Sequence, residues 1–525
     1  MRSPALDKKN RWLRGSVAGA FLSAALAALV MAPIVGAGFH AEDSGWLALA
    51  RQSVSPWPLL THNIDFVYFY RPLPLLLWWL SAHAFGANPV WHNALDVLLQ
   101  ALNAALVCLL AARISGRAGA GALAGVVFAS LPAAAGTAAW MSDRFDPIAL
   151  SFSLAALLAF ESALQQQRRS PVWTGIWLLC AVLSKEVAYA AVAVMLLRLT
   201  AQWYQNRAAA PRLFAVVLLA PVLGIALRIL SGTAVGLSLD IDDPLHAFVA
   251  GVSGWWRQAP AALSGFLPAP GLWALFAGLL LAMAYGLARS ATAARGARAL
   301  ALTGVGLLVL PAALQWPVTA PVLSDDGSRA FTENLRFYYA AAAGLALALA
   351  GGYASLQAQR ARVLMLSGCL IAAAYAAVLS YELSMRWATT WRPASDVYLA
   401  LAADLGQRQF PPGCRIFLDA PGWTDTFRHH ADTIVKAAAP TTASVQSCAI
   451  FAGAQVYQTF VPADRCTPAD WPGLVFSERQ GTPIAATVGD VCMLQFATYT
   501  AADQLGTPLF RFRVDNAGYA QEIRD

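Results

Sequence analysis

Hydrophobic residues gather into long runs separated by short polar stretches, near 16–38, 90–112, 119–138, 146–164, 172–184, 187–199, 213–231, 268–288, 299–317, 336–353 and 363–382. Most of these runs approach the ~20 apolar residues an α-helix needs to cross a bilayer core. The pattern therefore predicts about 11 transmembrane helices. The fifth and sixth runs are short and read equally well as one bent unit. From about residue 390 the pattern changes: strand-like runs occur at Arg415–Leu418, Ala449–Phe451, Val491–Phe496 and Leu509–Val514, after a helical stretch at Ser395–Arg408. The predicted fold class is a polytopic α-helical membrane protein with a small C-terminal α/β or α+β domain outside the membrane. Its predicted parts are residues 1–15 ahead of the first span, 16–389 as the spanning domain with a first outer loop at 39–89, and 390–525 as the C-terminal domain.

Composition agrees with this. Hydrophobic residues make up 58% of the 525 and charged residues only 12%, against roughly a quarter charged in soluble domains. The formal charge of +7 is scattered in small groups between the apolar runs. There is no basic stripe, which excludes a nucleic-acid-binding surface. Basic residues instead predict orientation: Arg113 and Arg117, Arg295 and Arg298, and Arg360 and Arg362 fall on one side, while Glu42, Asp43, Asp65, Asp143, Asp146, Glu186 and the Asp240–Asp243 loop fall on the other. By the positive-inside rule the N-terminus is cytoplasmic and the C-terminal domain is outside. The first run, led by Lys8, Lys9, Arg11 and Arg14, is longer than a signal-peptide core and is expected to be a retained span. Cys414, Cys448, Cys466 and Cys492 form an even set in the C-terminal domain, which suggests two disulfides of open connectivity and an oxidising compartment.

Four clusters on the outer side carry candidate chemistry. Glu42–Asp43, with Arg51, offers a carboxylate able to take a proton from an attacking hydroxyl; the plain alternative is an acidic loop held outside by topology. In Trp140-Met-Ser-Asp143-Arg144-Phe-Asp146, Asp146 is placed to orient an acceptor or the first carboxylate and Arg144 to meet a phosphate; the alternative is a structural Arg–Asp pair at a helix start. Lys185, followed by Glu186, is the sole lysine between Lys9 and Lys436 and interrupts an apolar run, where it requires a partner or an anion. Arg336 and Tyr338, in Asn334-Leu-Arg-Phe-Tyr, suit a clamp on a lipid-linked phosphate or an aromatic-belt anchor with a snorkelling arginine. Asn93, Asp96, Gln100 and Asn103 share one face of the second predicted span. Such a face points into the bundle and reads more readily as helix–helix glue than as catalysis. His62 and His92 have no metal-ligand spacing around them, and no defined metal site is predicted.

These clusters, in this order, resemble the GT-C superfamily of polyprenyl-phosphate-sugar-dependent glycosyltransferases. Asp43-Ser-Gly-Trp-Leu-Ala-Leu-Ala-Arg51 is similar to that family's D-E-x-x-Y-x-x-x-A-R opening of the first outer loop, with Ser44 in place of the second acid. Tyr70-Arg71-Pro72-Leu73, Phe85-Gly86-Ala87-Asn88-Pro89 and Leu102-Asn103-Ala104 look like the transmembrane and tetratricopeptide-repeat O-mannosyltransferases and their bacterial relatives. Ser142-Asp-Arg-Phe-Asp146, Ser184-Lys-Glu186 and Arg336-Phe-Tyr338 do so as well. Asn93, Asp96 and Gln100 stand where that branch has His, Asn and His, and no repeats follow.

The resemblance implies an inverting sugar transferase at the periplasmic face of a bacterial inner membrane. Asp43 would be the base, with Glu42 as substitute and Asp146 assisting. Arg144, Lys185, Arg336 and Tyr338 would bind the donor phosphate, and Arg71 and Glu186 would support them. Implied partners are a polyprenyl-phosphate sugar donor and a lipid, glycan or protein acceptor; no cofactor is assigned, and a divalent metal stays open. Two other readings fit the composition: a non-catalytic membrane scaffold or assembly factor, and a lipid-linked-sugar transporter, for which only Asp96 comes near mid-membrane.

Overall fold

The computed structural model describes residues 4–40, 42–61, 70–166, 171–204, 211–231, 244–264, 295–323, 333–420, 423, 430–452, 457–462, 464, 474–476, 478–479, 482–483, 485–488, 491–499 and 509–523. In chain order its helices are α1 (Pro4–Val30), α2 (Asp43–Gln52), α3 (Trp57–Thr61), α4 (Pro72–Phe85), α5 (Pro89–Ser115), α6 (Ala118–Ser130), α7 (Pro132–Ala139) and α8 (Phe145–Gln166). There follow α9 (Val172–Val182), α10 (Tyr189–Tyr204), α11 (Pro211–Leu230), α12 (Pro244–Ser264), α13 (Arg295–Leu323), α14 (Tyr339–Ser355), α15 (Gln359–Gln407) and α16 (Ala431–Ala438). Among the described residues seven helices are long and apolar enough to cross a membrane, or eight if α6 and α7, bent by 53° at their junction, form one span. The protein is thus a polytopic helical membrane protein. The predicted span at 268–288 lies outside the described residues, as do His62, Asp65, Asp240, Asp242, Asp243 and Cys466.

Several breaks have local causes. The first predicted span runs to 38, but α1 ends at Val30 and a short 3-10 turn (Ala32–Gly36) follows, because Pro33 has no N–H to continue the α-helical ladder. Pro132 interrupts the apolar run after Ser130 in the same way and opens α7 as its first residue. The two short predicted runs are separate helices, α9 and α10, divided at Lys185, whose backbone is extended.

Contacts gather the chain into two units. The first comprises Met1–Val35, Asn93–Leu227 and Val235–Trp387; the second comprises Gly36–His92, Arg228–Ala234 and Ala388–Asp525. In the first, α13 packs along α14 and α12, α1 along α6, and α8 along α9. Its interior is largely Ala, Leu, Val and Gly, as expected where helices must approach closely without a hydrophobic driving force between them.

In the second unit, strands β1 (Arg415–Asp419), β2 (Ala449–Phe451), β3 (Tyr457–Pro462), β4 (Leu474–Phe476), β5 (Glu478–Arg479), β6 (Thr482–Pro483), β7 (Ala485–Val488), β8 (Val491–Tyr499), β9 (Leu509–Val514) and β10 (Ala520–Glu522) form small sheets. One has the order β10-β9-β1-β2, with β1 parallel to both β2 and β9; the other has β3-β8-β4, with β7 also on β8. Ile416, Leu418, Ile450, Phe512 and Val514 face a core that Leu401, Leu405, Ala431 and Val435 close from the helical side. A Cys414–Cys448 disulfide joins the starts of β1 and β2, and Cys492 is also disulfide-bonded. The predicted Ser395–Arg408 helix is the far end of α15. At ~1.5 Å per residue α15 is more than twice as long as a hydrocarbon core of ~30 Å is thick.

Candidate active site

Three short 3-10 turns deliver the ionisable residues of the first unit. One, Met141–Arg144, follows α7 and carries Asp143 and Arg144, with Asp146 just beyond it in the first turn of α8. The second, Glu186–Ala188, is entered through Lys185. The third, Glu333–Tyr338, carries Arg336. Gly136 of α7 lets the third turn come close: a Cβ there would stand 2.4 Å from Leu335 Cδ1.

These turns assemble three acid–base pairs. Arg144 donates from Nε to Asp96 Oδ1 at 2.6 Å and from Nη2 to Asp96 Oδ2 at 2.9 Å, a bidentate fork with neither side chain reaching solvent. Arg336 donates to Asp143 Oδ1 at 2.9 Å, with its guanidinium 4.5 Å from the Trp140 ring centre. Lys185 pairs with Asp146. Charges this deep in an apolar bundle are tolerable only when paired. The acids are all inside: Asp96, Asp143 and Asp146 are 2%, 4% and 2% exposed. The cations differ, with the side chains of Arg336 and Lys185 26% and 15% exposed and that of Arg144 fully covered. Only Arg336 and Lys185 of the six therefore present positive charge outward.

The polar face of α5 holds this arrangement from behind. Asn103 donates to the Pro147 carbonyl and to Tyr339 Oη, each at 2.9 Å, and accepts from Ser151 Oγ at 2.8 Å. The Tyr339 hydroxyl in turn donates to Gln100. Gln100, Asn103 and Asp96 thus act as links to α8, α14 and the Met141–Arg144 turn. Tyr338 is turned into the bundle: its hydroxyl donates to the Trp255 carbonyl at 3.0 Å, with the two rings 4.7 Å apart. Glu186 is half-buried at the start of its turn.

Asp43, Glu42 and Arg71 belong to the second unit. Asp43 opens α2, is 1% exposed, and accepts the His40 backbone N–H on Oδ2 at 2.8 Å; its place in the first turn is favoured by the helix dipole. Glu42 beside it is exposed. α2 lies on α16: Ser44 Oγ is 2.7 Å from Thr433 Oγ1, and Arg51 donates to the Ala437 carbonyl. Burial pulls the Arg51 guanidinium below its ordinary range. Arg71 precedes α4, whose first residue is Pro72.

Sequence reasoning passed over Asp143 and Asp96 as site residues. Asp143 stands inside the Ser142–Asp146 motif, but nothing local marks it as the partner of a residue 193 positions away. Asp96 was legible as one member of a polar face and as an ionisable residue near mid-membrane, not as the partner of Arg144. Among the described residues no three His, Cys, Asp or Glu side chains come together as a metal-binding group.

The fold and this cluster define a multi-pass helical membrane protein with a buried acid–base assembly whose two partly exposed members are cations. No family model and no curated protein sequence matches the chain. Among solved structures it is similar to ArnT from Cupriavidus metallidurans bound to undecaprenyl phosphate, with 13% identity, 90% of this chain and 97% of that one covered, and a TM-score of 0.47. The apo state of the same protein gives 14% identity, 94% and 98% coverage, and a TM-score of 0.43. The Archaeoglobus fulgidus oligosaccharyltransferase, in complex with Zn and sulfate, gives 14% identity, 81% and 62% coverage, and a TM-score of 0.41.

Proposed function

We propose that this chain is an inverting membrane glycosyltransferase that moves a sugar from a polyprenyl-phosphate-linked donor to a lipid, glycan or protein acceptor at the periplasmic face of a bacterial inner membrane. Its sequence relatives in this reading are the bacterial cousins of the transmembrane and tetratricopeptide-repeat O-mannosyltransferases. The observation that carries the proposal is the asymmetry of the three pairs: the carboxylates are buried and the outward charge is that of Arg336 and Lys185. A guanidinium and an ammonium, each held by a buried carboxylate and each partly exposed, suit a phosphate.

In the proposed reaction Asp43 accepts the proton of the acceptor hydroxyl as its oxygen bonds to the sugar's anomeric carbon. The bond from that carbon to the phosphate oxygen breaks on the opposite face, and its electron pair leaves with the polyprenyl phosphate. Arg336 and Lys185 hold the charge that grows there, already oriented and needing no reorganisation. Asp143 and Asp146 fix these two cations, with Asp146 also assisting the acceptor. Arg144, committed to Asp96, and Tyr338, bonded to Trp255, keep the turns in register behind the phosphate. Glu42 substitutes for Asp43, and Arg71 and Glu186 support the loop and the lysine turn; any divalent metal would add to the cationic side.

The test is sugar transfer in membranes supplied with a lipid-phosphate sugar. Asp43→Asn should abolish transfer at unchanged protein level, and unaltered transfer would reject Asp43 as base. Lys185→Gln and Arg336→Gln should each lose about 100-fold or more, the scale of removing one charge-stabilising donor.

A further inference from the structure

A cavity of about 490 Å³ lies within the second unit and is not used by the reaction as drawn above. One wall is the chain at Gly36–Gly38. Another carries Phe85 and Asn88, and a third is the face of α15 that bears Arg392 and Asp396. Gly38 lets the loop lie flush on α15, since a Cβ there would stand 2.1 Å from Ser395 Cβ. At Gly36 a Cβ would meet Arg392 Nη1 at 3.7 Å, so a larger side chain would fill the space.

Arg392 and Asp396 are one turn apart on α15, and both are exposed. At the end of the same helix Asp404 and Arg408, also four apart with Arg408 just past the last helical residue, close on each other at 3.0 Å. In that pair the acid comes first, the favourable order on a helix. In Arg392–Asp396 the order is reversed, and neither side chain takes part in an ion pair or hydrogen bond among the described residues. The cavity therefore holds a guanidinium and a carboxylate side by side, uncommitted to each other. On the wall bearing Asn88, the Val90 backbone N–H fixes the Asn88 amide through Oδ1 at 3.1 Å, and Phe85 adds an apolar ring.

This set of groups selects its ligand by chemistry. Asp396 repels a free anion and Arg392 a free cation. Neighbouring hydroxyls, each both donor and acceptor, satisfy the two together, and a ring face covers the apolar face of a sugar. The cavity also sits where spans begin and end: α5 starts as a span at Pro89, with Val90 and Trp91 40% and 56% exposed, an aromatic-belt position. Asp43 hydrogen-bonds the backbone of His40, two residues beyond Gly38. We infer that this cavity binds a neutral sugar ring of the acceptor, held between Arg392, Asp396 and Asn88 and stacked on Phe85. The inference rests on the transferase reading and gives that reading an acceptor class.

The test is saturation-transfer NMR on the purified full-length protein in detergent, with methyl α-D-glucopyranoside as probe. Wild type should give transfer to the sugar protons. Arg392→Gln, Asp396→Asn and Gly36→Leu should each weaken binding about tenfold, the scale of one lost charge-assisted hydrogen bond. Arg392 and Asp396 are exposed, so Arg392→Gln and Asp396→Asn leave the fold intact. Competition by nanodiscs carrying a monoglucosyl lipid assigns the ring to a membrane lipid; competition by free maltose alone assigns it to a soluble glycan, and either supports the site. No transfer in wild type, transfer indifferent to all three substitutions, or displacement by inorganic phosphate overturns it. Binding is read without turnover, so the two readings separate. Sugar binding with transfer unaffected by Asp43→Asn sinks the base assignment alone. No binding, with transfer abolished by Asp43→Asn, sinks the cavity alone.

Discussion

The helical bundle and the C-terminal region both bury a charge pair, and they build it in opposite ways. In the bundle Arg144 grips Asp96 from 48 residues away, joining separate helices through two parallel hydrogen bonds. In the C-terminal region Lys436 and Asp432 are neighbours on one helix, 3.2 Å apart, with side chains 0% and 1% exposed. Asp432 also accepts the Ile450 backbone N–H at 2.9 Å, so this pair ties α16 to β2. The first pair determines which helices meet, and the second determines how one helix sits on its sheet. On the rim of that sheet Arg513 and Asp419 pair at the same 3.0 Å class of distance but are 67% and 37% exposed. Equal geometry therefore carries unequal energy, because the cost of an orphaned partner depends on burial.

The largest effect should come from Asp96→Asn, which removes the carboxylate that takes both hydrogen bonds of the buried Arg144 fork and should cost about 3–5 kcal/mol in thermal unfolding of the purified protein. Replacing both partners, Asp96→Leu with Arg144→Met, should recover most of that stability, since a buried pair is often no better than a well-packed apolar one. Transfer activity should return with it, because the pair acts by holding the Met141–Arg144 turn in register; activity that stays lost at recovered stability would contradict that role.

Asp432→Asn should cost about 3 kcal/mol at neutral pH, and its effect should depend on pH. Burial lowers the Lys436 ammonium from its ordinary value, with Asp432 opposing the shift. The unfolded chain therefore holds the proton over the interval between the native and ordinary values, and stability rises with pH across it. Removing Asp432 widens the interval, so the destabilisation should shrink as pH climbs toward the ordinary lysine value; a pH-independent loss would contradict this.

Gly136→Ala should cost about 1–3 kcal/mol by overpacking against Leu335. It should also lower transfer more than stability predicts, because Leu335 is next to Arg336. At the bottom of the scale Arg513→Ala should change unfolding by less than ~1 kcal/mol, and a larger loss would break the burial argument.

How much was legible beforehand varied with how local the cause was. Most of the spans in the described residues follow from runs of apolar side chains, and the strands at Arg415, Ala449, Val491 and Leu509 from short β-branched and aromatic runs. The α5 polar face was legible as glue because Asn93, Asp96, Gln100 and Asn103 recur at helical spacing. The places where spans break at Pro33 and Pro132, and the unbroken run of α15 from its span through Ser395 to Gln407, are less legible: apolar content extends past the point where backbone hydrogen bonding stops, or ends before it. In the candidate site Arg144 and Tyr338 were legible as residue types suited to phosphate, yet their polar atoms go to Asp96 and to the Trp255 carbonyl. Nothing within either motif encodes those distant partners.

The sequence by itself determined that this chain lives in a membrane, because ~20-residue apolar runs have no comparable place in water. It also determined which ionisable residues must be explained, because each is costly amid such runs. Which acid neutralises which base, and which two cations remain facing outward, was decided only by the tertiary structure. Pairing energy depends on separations of a few ångströms between residues tens to hundreds of positions apart, and those separations exist only once the helices have packed.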